Sequence, residues 1–303
     1  VENVTAVLDS AKISYVKWDM NRHSIALGAK AHEFILGLYD ILRRVFGPRP
    51  EILLESCSSG GNRFDLGMLC FSPQVWSSDN TDPIERLTIQ GNLSYLYPLS
   101  AMGAHVSAAP HAQTLRSTPL ATRANVAFFG CLGYELDLKH LLPIEIKAVR
   151  AQTAFYQQYR HIFQYGEFRR HKSGWQVSDG KTTIAGVFHK LVEAAPGYEQ
   201  LRVTGLAPEK RYRVTSLEQA IRVGQFANLL KHVVPVEVNP NGALIRMVDS
   251  RYQMPDGKED LTASGAALMS GMMLKPLFRG TGYDKNQHTQ SDFGSNIYII
   301  EEV

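Results

Sequence analysis

Cysteine is scarce: Cys57, Cys70 and Cys131 are the only three in 303 residues, and no two stand in CxxC spacing. So sparse and odd a set builds neither a disulfide framework nor a cysteine zinc site. There is no run of about 18 apolar residues, the least a membrane helix needs. The opening VENVTAVLDS lacks the basic and apolar blocks of a signal peptide. Charge of one sign is missing too. The 32 basic and 29 acidic residues leave a formal +3, too near balance for a nucleic-acid or membrane surface. The densest basic run, EFRRHKSGW, is short and reads as a solvated turn. No internal repeat or low-complexity segment is present. These absences predict a soluble protein of a reducing, cytoplasmic compartment with no nucleic-acid or membrane partner. The chain opens on Val1 rather than methionine, which suggests a natural start further upstream.

The residues that are present describe an ordinary globular protein, 44% hydrophobic and 20% charged. The length suits one large domain with a smaller one, or two of medium size. In ISYVKWD an apolar strand, expected to bury Ile13, Tyr15 and Trp18, ends on Asp19. Phe34, Leu38, Ile41, Leu42 and Val45 follow at helical spacing, and Gly47, Pro48 and Pro50 stop that helix. The alternation continues with strands predicted over 51–57, 73–79 and 103–110. Asp82 and Pro83 open a helix between the last two. A further helix and strand lie within 120–138, and a longer helix spans roughly 140–163. Alternating strands and helices predict a parallel sheet, either doubly wound or a barrel.

Beyond about residue 165 the texture changes. GWQVSDGKTTIAGVFHK, EQLRVTGL, KRYRVTSL and NIYIIEEV alternate and are punctuated by turns at Asp179-Gly180 and Asn239-Pro240. The expected organisation is α/β over 1–165 followed by an all-β, antiparallel unit over 166–303. In GAALMSGMMLKPL the methionines read as packing filler.

Polar or acidic residues close nearly every strand of the first half. Asp19 and Asp79 sit at the ends of separate parallel strands, where they could face each other across a cleft as a glycosidase requires. Spacing alone equally allows helix caps or surface acids. A metal-dependent hydrolase using Asp19, Asp79 and Asp82 is a more distant reading, since no histidine falls near Asp79 or Asp82 in the chain.

The motifs KWDMNR, ESCSSGGNRFDLGML and WSSDNTDPIERLTIQGNLSYLYP, in this order and spacing, resemble the bacterial α-galactosidases of glycoside hydrolase family 36. MGAHVSAAPHAQTLRSTPLATRANVAFFGCLGYELDL extends the resemblance to about residue 165, and it continues more loosely to the end. The resemblance implies the C-terminal part of a (β/α)8 TIM barrel followed by a C-terminal antiparallel β-sandwich domain. It implies a retaining α-galactosidase without cofactor or metal, acting on α-galactoside oligosaccharides of the melibiose and raffinose type. Asp19 would be the nucleophile and Asp79 the acid/base. Lys17 would hold Asp19 ionised and bond a sugar hydroxyl. Asn21, Cys57 and Gly60 would line the sugar pocket, and Trp76 would offer a stacking face. Arg63 and Asp65 would pair to fix their loop, and Asp82 would serve as a helix start rather than the acid. A homo-oligomer, a tetramer in the family, is also implied. Alternatives within the same resemblance are a transglycosylase, an α-N-acetylgalactosaminidase, or an inactive sugar-binding or assembly fragment. The last is raised because YVKWD would be the fourth barrel strand: the sandwich and first three strands of the longer relatives have no counterpart here. The isolated chain is therefore expected to be inactive.

Overall fold

The computed structural model describes every residue except 22–24, 231, 233–237, 279–283, 285 and 290. Five parallel strands, β1 (Tyr15–Asp19), β2 (Leu53–Cys57), β3 (Gln74–Trp76), β4 (Met102–Ser107) and β5 (Cys131–Glu135), lie side by side in chain order. The helices α1 (Glu2–Asp9), α2 (Ala31–Phe46), α3 (Leu66–Leu69), α4 (Pro83–Leu93), α5 (Leu120–Ala127) and α6 (Pro143–Tyr165) punctuate them. This is the curl of a partial barrel.

Side chains alternate between the two faces of a strand. On β1, Val16 and Trp18 pack outward against α2, where Leu38, Leu42, Val45 and Phe46 form the apolar stripe. Tyr15, Lys17 and Asp19 therefore point to the barrel lumen. Tyr15 is 44% exposed, so the expectation that it joins the core fails on parity: it shares a face with Lys17 and Asp19, not with Trp18.

The second half is a six-stranded sheet ordered β13-β10-β15-β8-β7-β6. These strands are β6 (Glu167–His171), β7 (Gly174–Ser178), β8 (Thr182–Phe188), β10 (Arg211–Ser216), β13 (Asp260–Ser264) and β15 (Ser295–Glu302). All its pairings are antiparallel. The β7–β8 hairpin turns at Asp179-Gly180, with Gly180 at φ 88°. One face supplies Val177, Ile184 and Ile297 to a core shared with α5, α6 and the outer side of β3–β5. At this junction Phe129, fully buried, meets Phe163, Trp175 and Phe188. The other face is covered by short pieces, among them β9 (Gln200–Leu201) with β14 (Met272–Met273). A further pair, β11 (Ala220–Arg222) with β12 (Gln253–Pro255), lies apart. Among the described residues no helix is long and apolar enough to cross a membrane.

Candidate active site

The register brings the lumen-facing residues at the C-terminal ends of β1–β5 together strand by strand. Lys17 lies opposite Glu55 and Asp19 opposite Cys57. Glu55 in turn lies opposite Gln74, and Trp76 opposite Gly103. A hollow of about 490 Å3 opens there, lined by Lys17, Trp76, Asp79, His105, Tyr134 and Glu135. Since β1 and β3 are separated by one strand, their axes stand roughly 10 Å apart.

Asp19 is the exposed end of β1. Desolvation pushes its carboxyl up. The Cys57 thiol, the Asn21 amide (Nδ2 to Oδ2, 3.0 Å), the Met20 N–H and the Lys17 charge outweigh this and hold it below the usual carboxylate range. The group is kept ionised and open to the lumen, as a nucleophilic carboxylate must be.

Asp79 follows β3 on a short loop. The Trp76 Nε1–H donates to its Oδ1 at 3.0 Å, which leaves Oδ2 available to a ligand. The loop itself is clamped from below by Arg86 of α4. That guanidinium is buried and donates to the carbonyls of Asn80 (2.8 Å), Ser78 (2.6 Å) and Gly103 (3.0 Å). Burial pulls its pKa down to about 10, more than the nearby Glu135 and Asp79 charges restore. On the opposite flank Gly60 adopts φ 84°, and a Cβ there would stand 2.9 Å from Ser78 Cα. Glycine at 60 thus serves to seat the Asp79 loop against the β2 loop, a different reason from the approach to sugar hydroxyls expected of it.

The remaining sequence candidates fall into place as follows. Asn21 is spent within the protein, its Nδ2 on Asp19 and its Oδ1 accepting from Ser59 N (2.9 Å) and Oγ (3.2 Å), so it ties the β1 end to the β2 loop. Arg22 lies outside the described residues. Cys57 is buried beside Asp19, and burial pushes its thiol up. Trp76 is 4% exposed. The Lys17 ammonium (4.6 Å), the Arg86 guanidinium (5.0 Å) and the His105 ring (4.4 Å) crowd its rings, so the stacking face expected from sequence is covered and the indole instead holds Asp79. Arg63 and Asp65 turn to different partners rather than to each other. Arg63 Nη2 donates to the carbonyls of Trp18 (3.0 Å) and Cys57, stapling the ends of β1 and β2. Asp65 caps α3 through Met68 N (2.8 Å) and accepts from Tyr39. Asp82 is fully buried: Oδ1 caps α4 at Ile84 N (2.9 Å), while Oδ2 takes Thr114 and Arg116 (2.6 Å). Both carboxylate oxygens of Asp82 are thus engaged inside the protein, whereas Asp79 lines the hollow.

Glu55, Arg86, His105 and Glu135 were not among the sequence candidates. Glu55 had a signal, an acid inside the otherwise apolar strand EILLESC. His105 had none, because Trp76 reaches it only through the sheet register; its Nδ1 is 3.5 Å from Glu135. Among the described residues no group of three or more histidine, cysteine or acidic side chains is placed to hold a metal ion.

With this geometry in hand, comparison with known families is decisive. The Melibiase family profile matches residues 1–166, more than half of the chain. The chain belongs to the melibiase family. The profile of the glycosyl hydrolase family 36 C-terminal domain matches residues 172–300. Alpha-galactosidase AgaA of Geobacillus stearothermophilus is 42% identical over 236 residues, 72% of this chain and 32% of that protein. Alpha-galactosidase 1 of Pediococcus pentosaceus is 42% identical over 231 residues, again 32% of its length. This melibiase-family chain thus spans about a third of the curated relatives it matches. The solved AgaA structure superposes with a TM-score of 0.76 at 35% identity, covering 100% of this chain and 37% of the other. Variants of AgaA have been solved with stachyose and with raffinose.

Proposed function

We propose that this chain is the part of a retaining α-galactosidase that carries both reacting carboxylates. Asp19 attacks the anomeric carbon of a terminal α-galactoside to form a galactosyl ester. Asp79, through Oδ2, donates a proton to the departing oxygen and then takes one from the water that hydrolyses the ester. The observation that carries this reading is the contrast between the two acids on one rim. Asp19 is held ionised by four neighbours, and Asp79 is oriented by a single indole donor with one oxygen free. Lys17 and Cys57 flank the nucleophile and hold its charge and orientation. The complexes of AgaA with raffinose and stachyose and the family membership favour α-galactoside oligosaccharides as substrates.

The test is release of p-nitrophenol from p-nitrophenyl α-galactoside by the intact protein and by Asp19→Asn. Loss of a nucleophile lowers kcat by several orders of magnitude. A variant that retains its rate would make Asp19 a structural acid and remove the basis of the mechanism.

A further inference from the structure

Glu55 is a carboxylate in the middle of a buried strand. It is 2% exposed and lies on the lumen face of β2, two residues before Cys57. A buried carboxylate without partners is very costly, and its partners come from both flanking strands. The Tyr15 hydroxyl of β1 and Gln74 Nε2 of β3 (2.8 Å) both donate to Oε2. The Lys17 ammonium stands 3.3 Å from Oε1, which has no hydrogen-bond partner among the described residues. Two donors therefore fix one oxygen and aim the other at Lys17.

Lys17 needs such an anchor. Its side chain is 40% exposed, and a lysine on a flexible four-carbon stem ordinarily swings into water. Here it is drawn back over the Trp76 ring, whose Nε1 holds Asp79, while its charge acts on Asp19. We propose that Glu55 is a positioning residue for the active site: its fixed carboxylate anchors the Lys17 ammonium where one cation serves both the Asp19 carboxylate and the indole that orients Asp79. The inference rests on the functional reading above, in which those two aspartates react.

The discriminating variant is Glu55→Gln, which keeps an acceptor for Tyr15 and Gln74 and removes the charge that faces Lys17. Glu55→Gln, Lys17→Met and the double variant are compared in the intact protein on p-nitrophenyl α-galactoside. Glu55→Gln is expected to lower kcat/KM roughly 10- to 100-fold, the span of one hydrogen bond to a charged group. The double variant is expected to match Lys17→Met alone, because the two residues act as one unit. Losses that add in the double variant, or a wild-type rate for Glu55→Gln, overturn the proposal. A crystal structure of Glu55→Gln decides the same point without activity: Lys17 is expected to leave the Trp76 ring, and a Lys17 that keeps its place refutes the anchoring. An inactive wild-type protein would defeat the functional reading, and the crystallographic result would still settle whether Glu55 holds Lys17.

Discussion

Replacing Trp76 by phenylalanine isolates one hydrogen bond of the site. The indole is almost fully buried and packed against Gly103, where a Cβ would stand 2.9 Å from its Cε3. Phenylalanine keeps an aromatic face for Lys17 and Arg86 and removes the Nε1–H that reaches Asp79 Oδ1 at 3.0 Å. In the step that forms the ester Asp79 is the protonated acid, and a hydrogen bond to an uncharged carboxyl is worth about 0.5–1.5 kcal/mol, so kcat/KM for raffinose is expected to fall roughly 2- to 12-fold. The leaving group makes the test specific. The sugar alkoxide of raffinose needs a proton from Asp79 to depart, whereas p-nitrophenolate leaves unprotonated. Because kcat/KM reports formation of the galactosyl ester, p-nitrophenyl α-galactoside is expected to lose much less. Thermal unfolding of the same preparations separates this from general loosening of the barrel. Equal losses on both substrates, or an unchanged rate on raffinose, would refute the role given to Trp76.

Asp82→Ala removes a helix cap and a bond to Arg116, and is expected to destabilise the protein by about 2–4 kcal/mol, read as a lower urea midpoint at unchanged slope. Desolvation raises the Asp82 carboxyl, but Thr114, Arg116 and the Ile84 N–H outweigh it and set it below its usual value. Its contribution is therefore full above about pH 4 and disappears as pH falls through the folded value; Asp82→Asn should flatten that part of the acid limb. At the other end of the scale, His288 is buried between Asp256 (3.1 Å) and Glu259 (3.2 Å). Desolvation lowers its pKa, yet the two carboxylates raise it to about 9. Its stabilisation is full below about pH 6.5 and lost as pH rises through about 9, so Tm should decline between pH 7 and 10 in the wild type and less in His288→Gln. Parallel curves would show that another group titrates. Gly60→Ala forces a Cβ into the Ser78 backbone at a positive φ, a strain of about 1–3 kcal/mol. It is expected to depress kcat by shifting the Asp79 loop, and a variant with unchanged kcat and Tm would contradict that packing.

The order of strands and helices was legible because elements carry their own period: two for β1 and β10, 3.6 for α2. The caps were legible for the same local reason, since Asp82 and its Pro83 meet the helix start within two residues. Asp19 and Asp79 could be picked out because both end strands, and a parallel sheet gathers its strand ends on one rim. What lies between them could not be read this way. Glu55 meets Lys17 across 38 residues of chain, and Arg86 reaches the Gly103 carbonyl from a helix packed behind the sheet. His105 covers Trp76 only because Gly133 leaves room for its ring. Trp76 reads as an open face in the sequence because an indole at a strand end has the same signature whether solvent or three other side chains lie over it. The sequence by itself determined which residues point to the lumen and where the chain turns, because those follow from backbone periodicity and local hydrogen bonding. Only the tertiary structure decided which lumen residues touch, because that depends on interstrand register and on how far each long side chain reaches, and both are set by packing between segments distant in the chain.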